Sequence, residues 1–388
     1  MKSPQLRIFL TTSHACAVYA TMLVKHTRSD QCKDVLLLDA SARRKGLVEV
    51  IKETSRLYDW DLVHDFSIVH DDSLDYKPSR RKIIMRRIKN WPVIKNIYDF
   101  LLEKQRKKED QIYIAKLKDV LSPFLSEGTQ VELFVLTQSG LNRQLFKLFP
   151  NAGINYIEHG VIDYFFVLEP EIRKGNFYGV FAEEYRPFLK KQNISTDWVK
   201  QIPGVDEFRT LTKDLLKILK EKLNFSAEVR SDKRCVFVAL EALEMYYVPP
   251  TFWGDYMERI FSHLEKPGDF HYLLKPHPMQ SKESLDATIL HFKNKGYSFE
   301  VLDQSNMNNI CTEVLFELYA DKVDYLFCLF SAACFYASKL YKEKHINYRY
   351  SLAFMNSYAD KAPPWIKRAY RKTIPLIEEV FVENCKEY

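Results

Sequence analysis

Residues 6–39 read LRIFLTTSHACAVYATMLVKHTRSDQCKDVLLLD, and this stretch decides the fold class. Two apolar runs typical of buried strands flank a segment typical of a helix. Near-continuous apolar runs fit parallel strands that are covered on both faces. With the segments that follow, the order becomes β-α-β-α-β, which predicts a doubly wound α/β sheet. The predicted elements here are strands at 6–10, 34–39 and 62–70 and helices at 15–25 and 46–56.

The same alternation continues through the first half and restarts in the second. At 388 residues the chain is too long for one ordinary core, so it is expected to form two domains. We predict two Rossmann-like domains, residues 1–205 and 206–388, with the last helix packing back on the first domain. The further predicted strands are 131–137, 155–158, 177–183, 235–240, 271–274, 299–302 and 323–330, with helices at 141–148, 253–264, 284–295 and 314–320.

Composition narrows the class of protein. The chain is 46% hydrophobic and 28% charged, which fits a folded globular protein rather than a disordered one. None of the seven cysteines has C-x-x-C spacing, which indicates a reducing compartment without structural disulfides or zinc. The sequence shows neither a signal peptide nor an apolar run of the ~18–20 residues that a membrane span needs. We therefore expect a cytoplasmic protein that touches a membrane surface.

The stretch Tyr272–Pro278, YLLKPHP, carries the most chemistry. A short buried strand stops at two prolines, which hold His277 in a stiff loop at the carboxyl end of the strand. Ligands of open α/β sheets bind at that edge. Lys275 as a point charge and His277 as a titratable donor suit a phosphate group. The alternative is a proline-rich turn with a solvated histidine.

Two further features follow predicted strands. Glu158 precedes His159 and Gly160 in the first half, and Ser331 and Ala332 begin a helix in the second. The free amides at the start of that helix, with Ser331, would form an anion site. A carboxylate opposite a phosphate-binding set suits group transfer from a nucleotide donor. Taken singly, Glu158 also fits a surface turn and Ser331 an ordinary helix cap.

The segment 79–110 is strongly basic and has an apolar stripe at helical spacing. Pro92 is expected to kink or break this helix. A basic amphipathic helix indicates a site for an anionic surface such as acidic lipid, acidic polymer or nucleic acid. A solvated charged face is the alternative.

The order of Glu158-His159-Gly160, Lys275-Pro276-His277-Pro278 and Ser331-Ala332 resembles that of bacterial sialyltransferases. Those enzymes carry an acidic D/E-D/E-G motif, a His-Pro motif and a Ser-Ser/Thr motif. Length, spacing and the basic segment look most like the capsule polysialyltransferases, with lipooligosaccharide sialyltransferases as the nearest competitor. His159 and Ala332 depart from the motifs, so only Glu158 and Ser331 carry over at those two places.

The resemblance implies a GT-B fold, with two Rossmann-like domains facing a cleft, and inverting transfer from CMP-sialic acid. Residues 1–205 would bind the acceptor and 206–388 the donor. Glu158 would be the general base and His277 would bind the CMP phosphate and aid its departure. The implied donor-binding set is Lys275, Pro278, Ser331 and Ala332. No cofactor and no metal are expected.

The implied acceptor is a sialylated oligosaccharide or polysialic acid. A track of positive charge would attract such a polyanion. The residues predicted to form this track are Arg80, Arg81, Arg86, Arg87, Lys89 and Lys95. The expected place is the inner face of the bacterial inner membrane, with the membrane surface and capsule assembly proteins as partners and no nucleic acid. The alternatives are a single-addition lipooligosaccharide sialyltransferase, another capsule nucleotide-sugar glycosyltransferase, and a non-catalytic polyanion-binding protein.

Overall fold

A seven-stranded sheet with the order β3-β2-β1-β4-β5-β6-β7 contains the strands of the first half. The strand pairs β1–β2, β1–β4, β2–β3, β4–β5 and β6–β7 are all parallel. The strands are β1 Gln5–Thr11, β2 Cys32–Leu38, β3 Leu62–Asp65, β4 Gln130–Val135, β5 Gly153–Ile157, β6 Asn176–Gly179 and β7 Val199–Gln201. The computed structural model describes residues 5–39, 45–66, 92–137, 139–160, 163–166, 168, 175–202, 204–225, 228–229, 231–241, 252–329, 331–351, 379–380 and 385–388.

A six-stranded parallel sheet with the order β10-β9-β8-β11-β12-β13 contains the strands of the second half. Its strands are β8 Arg234–Ala239, β9 Phe270–Lys275, β10 Ser298–Val301, β11 Val323–Phe327, β12 Asn347–Tyr350 and β13 Cys385–Glu387. In both sheets the chain fills one side of the first strand and then returns to fill the other, which is the doubly wound Rossmann order. The predicted α/β class with two Rossmann-like units is confirmed.

Helices connect most of these strands, as parallel pairing requires. The α-helices in the described ranges are α1 His14–Thr27, α2 Lys45–Ser55, α3 Pro92–Leu121, α4 Asn142–Leu148, α5 Asp163–Phe166, α6 Ala182–Lys191, α7 Val205–Leu223, α8 Phe252–His263, α9 Lys282–Lys295, α10 Thr312–Leu315 and α11 Ala332–Leu340. None of the helices in these ranges combines the length and the apolar character needed to cross a bilayer.

The predicted apolar runs form the cores of the two sheets. Leu36, Leu37 and Leu38 of β2 are fully buried, as the continuous run predicted. In the second sheet, aromatic side chains of α8 pack on the strands, with Trp253 and Tyr256 both enclosed. Burying one large apolar side chain contributes roughly 1.5–3 kcal/mol, so these clusters supply the main driving force for folding.

Two compact units emerge from the packing of the chain. One contains residues 1–12, 28–45 and 60–156, and the other contains 13–27, 46–59 and 157–388. The last strand of the first sheet ends at Gln201, and the first strand of the second begins at Arg234. The domain boundary at residue 205 stays a prediction. The predicted packing of the last helix also stays one, because residues 352–378 and 381–384 lie outside the described ranges.

Local differences from the sequence prediction have simple causes. Helix α3 is described from Pro92 onwards, and residues 67–91 lie outside the described ranges, so the kink or break expected at Pro92 stays a prediction. The strand predicted over 177–183 was wrong beyond Gly179, because α6 begins at Ala182. Strands β7, β12 and β13 were missed, since three or four residues are too few for a clear periodic signal.

Asp110 of α3 is a buried ionic link to α4. It is 4% exposed, and its carboxylate accepts hydrogen bonds from Arg143, from Gln144 Nε2 at 2.8 Å and from Lys147 Nζ at 2.6 Å. Burial acts to raise the pKa of Asp110, but the bonds from Lys147 and Arg143 outweigh it and hold the pKa below its usual value. The carboxylate therefore stabilises the fold above its ordinary pKa near ~4, and this contribution is lost as the pH falls further.

We expect Asp110→Asn to lower the free energy of unfolding at pH 7 by about 1.5–3 kcal/mol, the range for hydrogen bonds to a charged group. Urea unfolding at pH 7 and at about pH 2.5 measures the effect, which should shrink at the lower pH because that pH lies below the ordinary pKa of the carboxyl. Asp119→Asn, an exposed carboxylate on the same helix, is the matched control. A pH-independent loss for Asp110→Asn would contradict an ionic role.

Candidate active site

The Lys-Pro-His-Pro turn begins where β9 ends at Lys275. His277 is half-buried, and its Nδ1 accepts a hydrogen bond from the Met279 N–H at 3.1 Å. Its carbonyl accepts from the Gln280 N–H at 2.9 Å, which closes the turn. Because Nδ1 accepts, the neutral imidazole carries its proton on Nε2. The turn thus holds a ring whose Nε2 is a hydrogen-bond donor.

Lys275 is enclosed in the same region. The side chain is 2% exposed, and Nζ donates to the carbonyls of Pro276 at 2.9 Å and Asn308 at 2.8 Å. Burial lowers the pKa of Lys275 to about 8, although the nearby Cys311 and Glu313 act in the opposite direction. In this conformation the ammonium holds the turn, and its contact with a donor phosphate stays a prediction.

Ser331 caps the helix α11, as its sequence position indicated. Its Oγ accepts from the Ala333 N–H at 3.2 Å. Glu241, which the sequence analysis did not single out, lies against the same loop. Its Oε1 accepts from the N–H groups of Leu329 at 3.1 Å and Ser331 at 2.9 Å. A buried carboxylate therefore fixes the residues that lead into α11.

Strand register places these groups at one edge of the second sheet. Ala239 of β8 pairs with Lys275 of β9, and Val238 pairs with Phe327 of β11. The segments containing Glu241, His277 and Ser331 consequently leave the sheet at its carboxyl edge. The order of strands reverses between β8 and β11, and in such sheets the ligand site lies outside the strand ends at this point.

Glu158 follows β5 and is 0% exposed. Its Oε2 accepts from the Tyr164 hydroxyl and from the Val180 N–H, both at 2.6 Å. Oε1 is buried and has no hydrogen-bond partner among the described residues. Burial raises the pKa of Glu158 well above its usual range, against the two hydrogen bonds and with the charges of Asp163 and Glu313. This environment favours the protonated carboxyl.

His159 and Gly160 complete this turn. His159 Nδ1 lies 2.5 Å from Oδ2 of Asp163, and the His159 backbone N–H donates to the same oxygen at 2.6 Å. Burial acts to lower the pKa of His159, but the Asp163 carboxylate outweighs it and raises the pKa above its usual value. A methyl group built on Gly160 would lie 4.0 Å from Cβ of Ala332. Two of the three predicted motifs are therefore neighbours.

His14 belongs to a second buried polar group that the sequence analysis missed. The side chain is buried, and Nδ1 accepts from the Cys311 N–H at 2.9 Å. Nε2 lies 3.0 Å from Thr54 Oγ1, which itself donates to the Val50 carbonyl. Burial, with the nearby charge of Lys275, lowers the pKa of His14 to about 3. A neutral His14 thus connects α1, α2 and the segment before α10 as a structural residue.

The predicted acceptor track lies mostly outside the described residues. Lys95 falls on the backbone of α3, whereas Arg80, Arg81, Arg86, Arg87 and Lys89 fall within 67–91. The acceptor-binding role of these six residues stays a prediction.

A cavity of about 560 Å³ lies elsewhere, at the amino ends of β1, β4 and β5. Gln5, Gln130 and Gly153, which begin these strands, line it. It is therefore at the edge of the first sheet where ligands of parallel α/β sheets do not usually bind. We assign it no role.

No family model and no curated protein matches this chain. Among solved structures, the UDP-GlcNAc 2-epimerase of Methanocaldococcus jannaschii in complex with UDP-GlcNAc and UDP is similar with a TM-score of 0.53 and 10% identity, over 97% of this chain and 92% of that one. The UDP-GlcNAc 2-epimerase of Neisseria meningitidis bound to UDP-GlcNAc is similar with a TM-score of 0.51 and 12% identity, over 87% of this chain and 80% of that one. At such identities the likeness shows the fold, which agrees with the predicted GT-B class.

Proposed function

We propose that this chain is a nucleotide-sugar-dependent glycosyltransferase that transfers sialic acid from CMP-sialic acid to a sialylated acceptor. One observation carries the proposal. The His277 turn and the Ser331 cap leave the same sheet edge on either side of β8, and the Glu158-His159-Gly160 turn packs beside Ala332. These are the three motifs on which the sialyltransferase resemblance rests.

On the donor side, the start of α11 would hold the phosphate. Ser331 supplies a hydroxyl and the first turn of the helix supplies backbone N–H groups, which favour negative charge. His277, with its proton on Nε2, would donate to the phosphate oxygen as the bond to the sugar breaks. Lys275 and Pro278 hold the turn from which His277 acts, and Ala332 contributes the first helical residue.

On the acceptor side, the resemblance assigns the general base to the acidic-Gly turn, at Glu158. Displacement by an acceptor hydroxyl would invert the anomeric carbon and needs no metal. Arg80, Arg81, Arg86, Arg87, Lys89 and Lys95 would guide a polyanionic acceptor. The protein would then elongate capsular polysialic acid at the inner face of the bacterial inner membrane, beside capsule assembly proteins.

A UDP-sugar enzyme is the second candidate, because the two epimerase structures named above were both determined with UDP-GlcNAc. The two candidates share the sheet-edge phosphate site and differ in the base and sugar of the nucleotide. Parallel incubation with UDP-GlcNAc and with CMP-sialic acid separates them.

The test is incubation of the purified protein with CMP-sialic acid and a fluorescent sialylated oligosaccharide, followed by anion-exchange chromatography. We expect a ladder of lengthening products. A single added sugar would indicate the lipooligosaccharide type of enzyme, and epimerised UDP-GlcNAc would favour the second candidate. Retention on polysialic acid with neither transfer nor release of CMP would overturn the proposal and favour a polyanion-binding protein.

A further inference from the structure

The acidic-Gly turn contains two candidate bases with opposite environments. Glu158 is fully enclosed, whereas the side chain of His159 is 29% exposed. They are adjacent in the chain, so both enter the region beside Ala332 together with Gly160. The residue that accepts the acceptor's proton must reach a hydroxyl group within hydrogen-bond distance.

The surroundings of Glu158 suit a structural carboxyl. Oε2 is held by both the Tyr164 hydroxyl and the Val180 N–H, and the Tyr164 hydroxyl in turn accepts from the Phe181 N–H at 2.9 Å. Tyr164 is itself fully buried. This network ties the segment after β5 to the segment after β6. Reaching an acceptor would require Glu158 to leave it.

His159 has the arrangement of a base with an orienting carboxylate. Asp163 is 0% exposed, and its Oδ2 accepts a hydrogen bond from the backbone N–H of His159 and lies 2.5 Å from the ring Nδ1. A carboxylate oxygen 2.5 Å from Nδ1 favours a proton on that nitrogen, which leaves the lone pair on Nε2. Nε2 makes no hydrogen bond with any group in the part of the chain that the structure describes. In base catalysis by histidine, a buried carboxylate fixes the tautomer and stabilises the imidazolium in this way.

We infer that His159, oriented by Asp163, is the general base of this chain, and that Glu158 holds the turn in place. The inference rests on the proposed function. The oxygen of the acceptor hydroxyl bonds to the anomeric carbon as the bond from that carbon to the phosphate oxygen breaks. The electron pair of the broken bond stays on the phosphate. The hydroxyl proton goes to Nε2 of His159, and the imidazolium is stabilised by Asp163.

A pH profile of the transfer rate tests the assignment. The base works when it is neutral, so the rate rises as the pH rises through its pKa. Among the described residues, Asp163 is the ionisable group that acts on His159, and it raises the pKa of His159. We therefore expect the rate of the wild type to rise at a pH above ~6.5, the ordinary pKa of histidine. His159→Gln removes the base, so it is expected to lower the rate about 10²–10⁴-fold and to abolish this rise.

Two substitutions distinguish a base from a packing residue. His159→Glu restores a titratable group whose ordinary pKa of ~4.3 is lower than that of histidine, so part of the activity returns and the rise in rate moves to lower pH. Asp163→Asn removes the carboxylate that raises the pKa, so the rise moves to lower pH. His345→Gln, at an exposed histidine with no carboxylate partner among the described residues, is the matched control. Thermal melting verifies the fold of each variant, and titration with CMP verifies that the donor site is intact.

The outcomes separate the two proposals. Transfer in the wild type with an unchanged pH rise in His159→Gln overturns the base assignment alone. Loss of the rise in Glu158→Gln, with the rise retained in His159→Gln, returns the role to Glu158. If the wild type shows no transfer and does not bind CMP, the proposed function is overturned, and this inference is overturned with it.

Discussion

Replacing His277 with asparagine is expected to slow the proposed sialyl transfer about 10²–10⁴-fold, the usual contribution of a positioned acid or base. The ring accepts the Met279 N–H at Nδ1 and so presents the Nε2 proton, which would meet the departing phosphate oxygen. Asparagine places its Oδ1 near the position of Nδ1, so it can accept the same N–H and keep the turn. It has nothing at the position of Nε2 to donate.

Comparison with alanine isolates the chemical role from the shape of the turn. We expect His277→Ala to lose as much activity as His277→Asn, and only the alanine variant to loosen the turn. Steady-state transfer rates, together with the temperature of unfolding, measure both effects. His345→Asn, at an exposed histidine of the same unit, is the control. Full activity in His277→Asn would mean that His277 serves only as a turn residue.

The fold could be predicted because most of its strands have a recognisable apolar pattern in the sequence. The runs that became β2 and β9 are continuous and apolar. Such runs are typical of parallel strands that are covered on both faces of the sheet. The edges were harder. Strands β7 and β13 contain three residues each, so their place in the sheet comes from pairing with a neighbour rather than from a pattern of their own.

The candidate site was predictable in position but not in detail. Strand ends located His277, Ser331 and Glu158, because the carboxyl edge of a parallel sheet gathers the residues that follow its strands. The sequence could not show that Lys275 would be enclosed, since one of its partners is the Asn308 carbonyl, 33 residues away. It could not show the burial of Glu158 either, because that depends on Tyr164 and Val180.

Glu241 is a residue whose position after a predicted strand was visible in the sequence but to which no role was assigned. It lies two residues beyond β8, the strand at which the order of the second sheet reverses. A carboxylate at this point faces the amides that lead into the next helix across the switch. In the structure it takes the N–H groups of Leu329 and Ser331, so its charge compensates backbone dipoles that would otherwise be unpaired.

Removing Glu241 is therefore expected to disturb the proposed donor site, although Glu241 itself would not contact the donor. In Glu241→Ala the N–H groups of buried Leu329 and half-buried Ser331 lose their acceptor, which should lower the free energy of unfolding by about 3 kcal/mol. Ser331 and the first turn of α11 would no longer be held, so we expect the KM for CMP-sialic acid to rise about tenfold or more, as a loss of ~1.4 kcal/mol in binding implies. Urea unfolding and donor kinetics at pH 7 measure the two effects.

Glu241→Gln separates support of the loop from electrostatics. Its side-chain carbonyl can still accept from both amides, so most of the stability and most of the donor affinity should return. Glu265→Ala, at an exposed carboxylate of the same unit, controls for the loss of one negative charge. If the alanine variant bound donor better than wild type, Glu241 would be competing with the phosphate for these amides rather than positioning them. Equal KM values in all variants would place the donor phosphate away from α11.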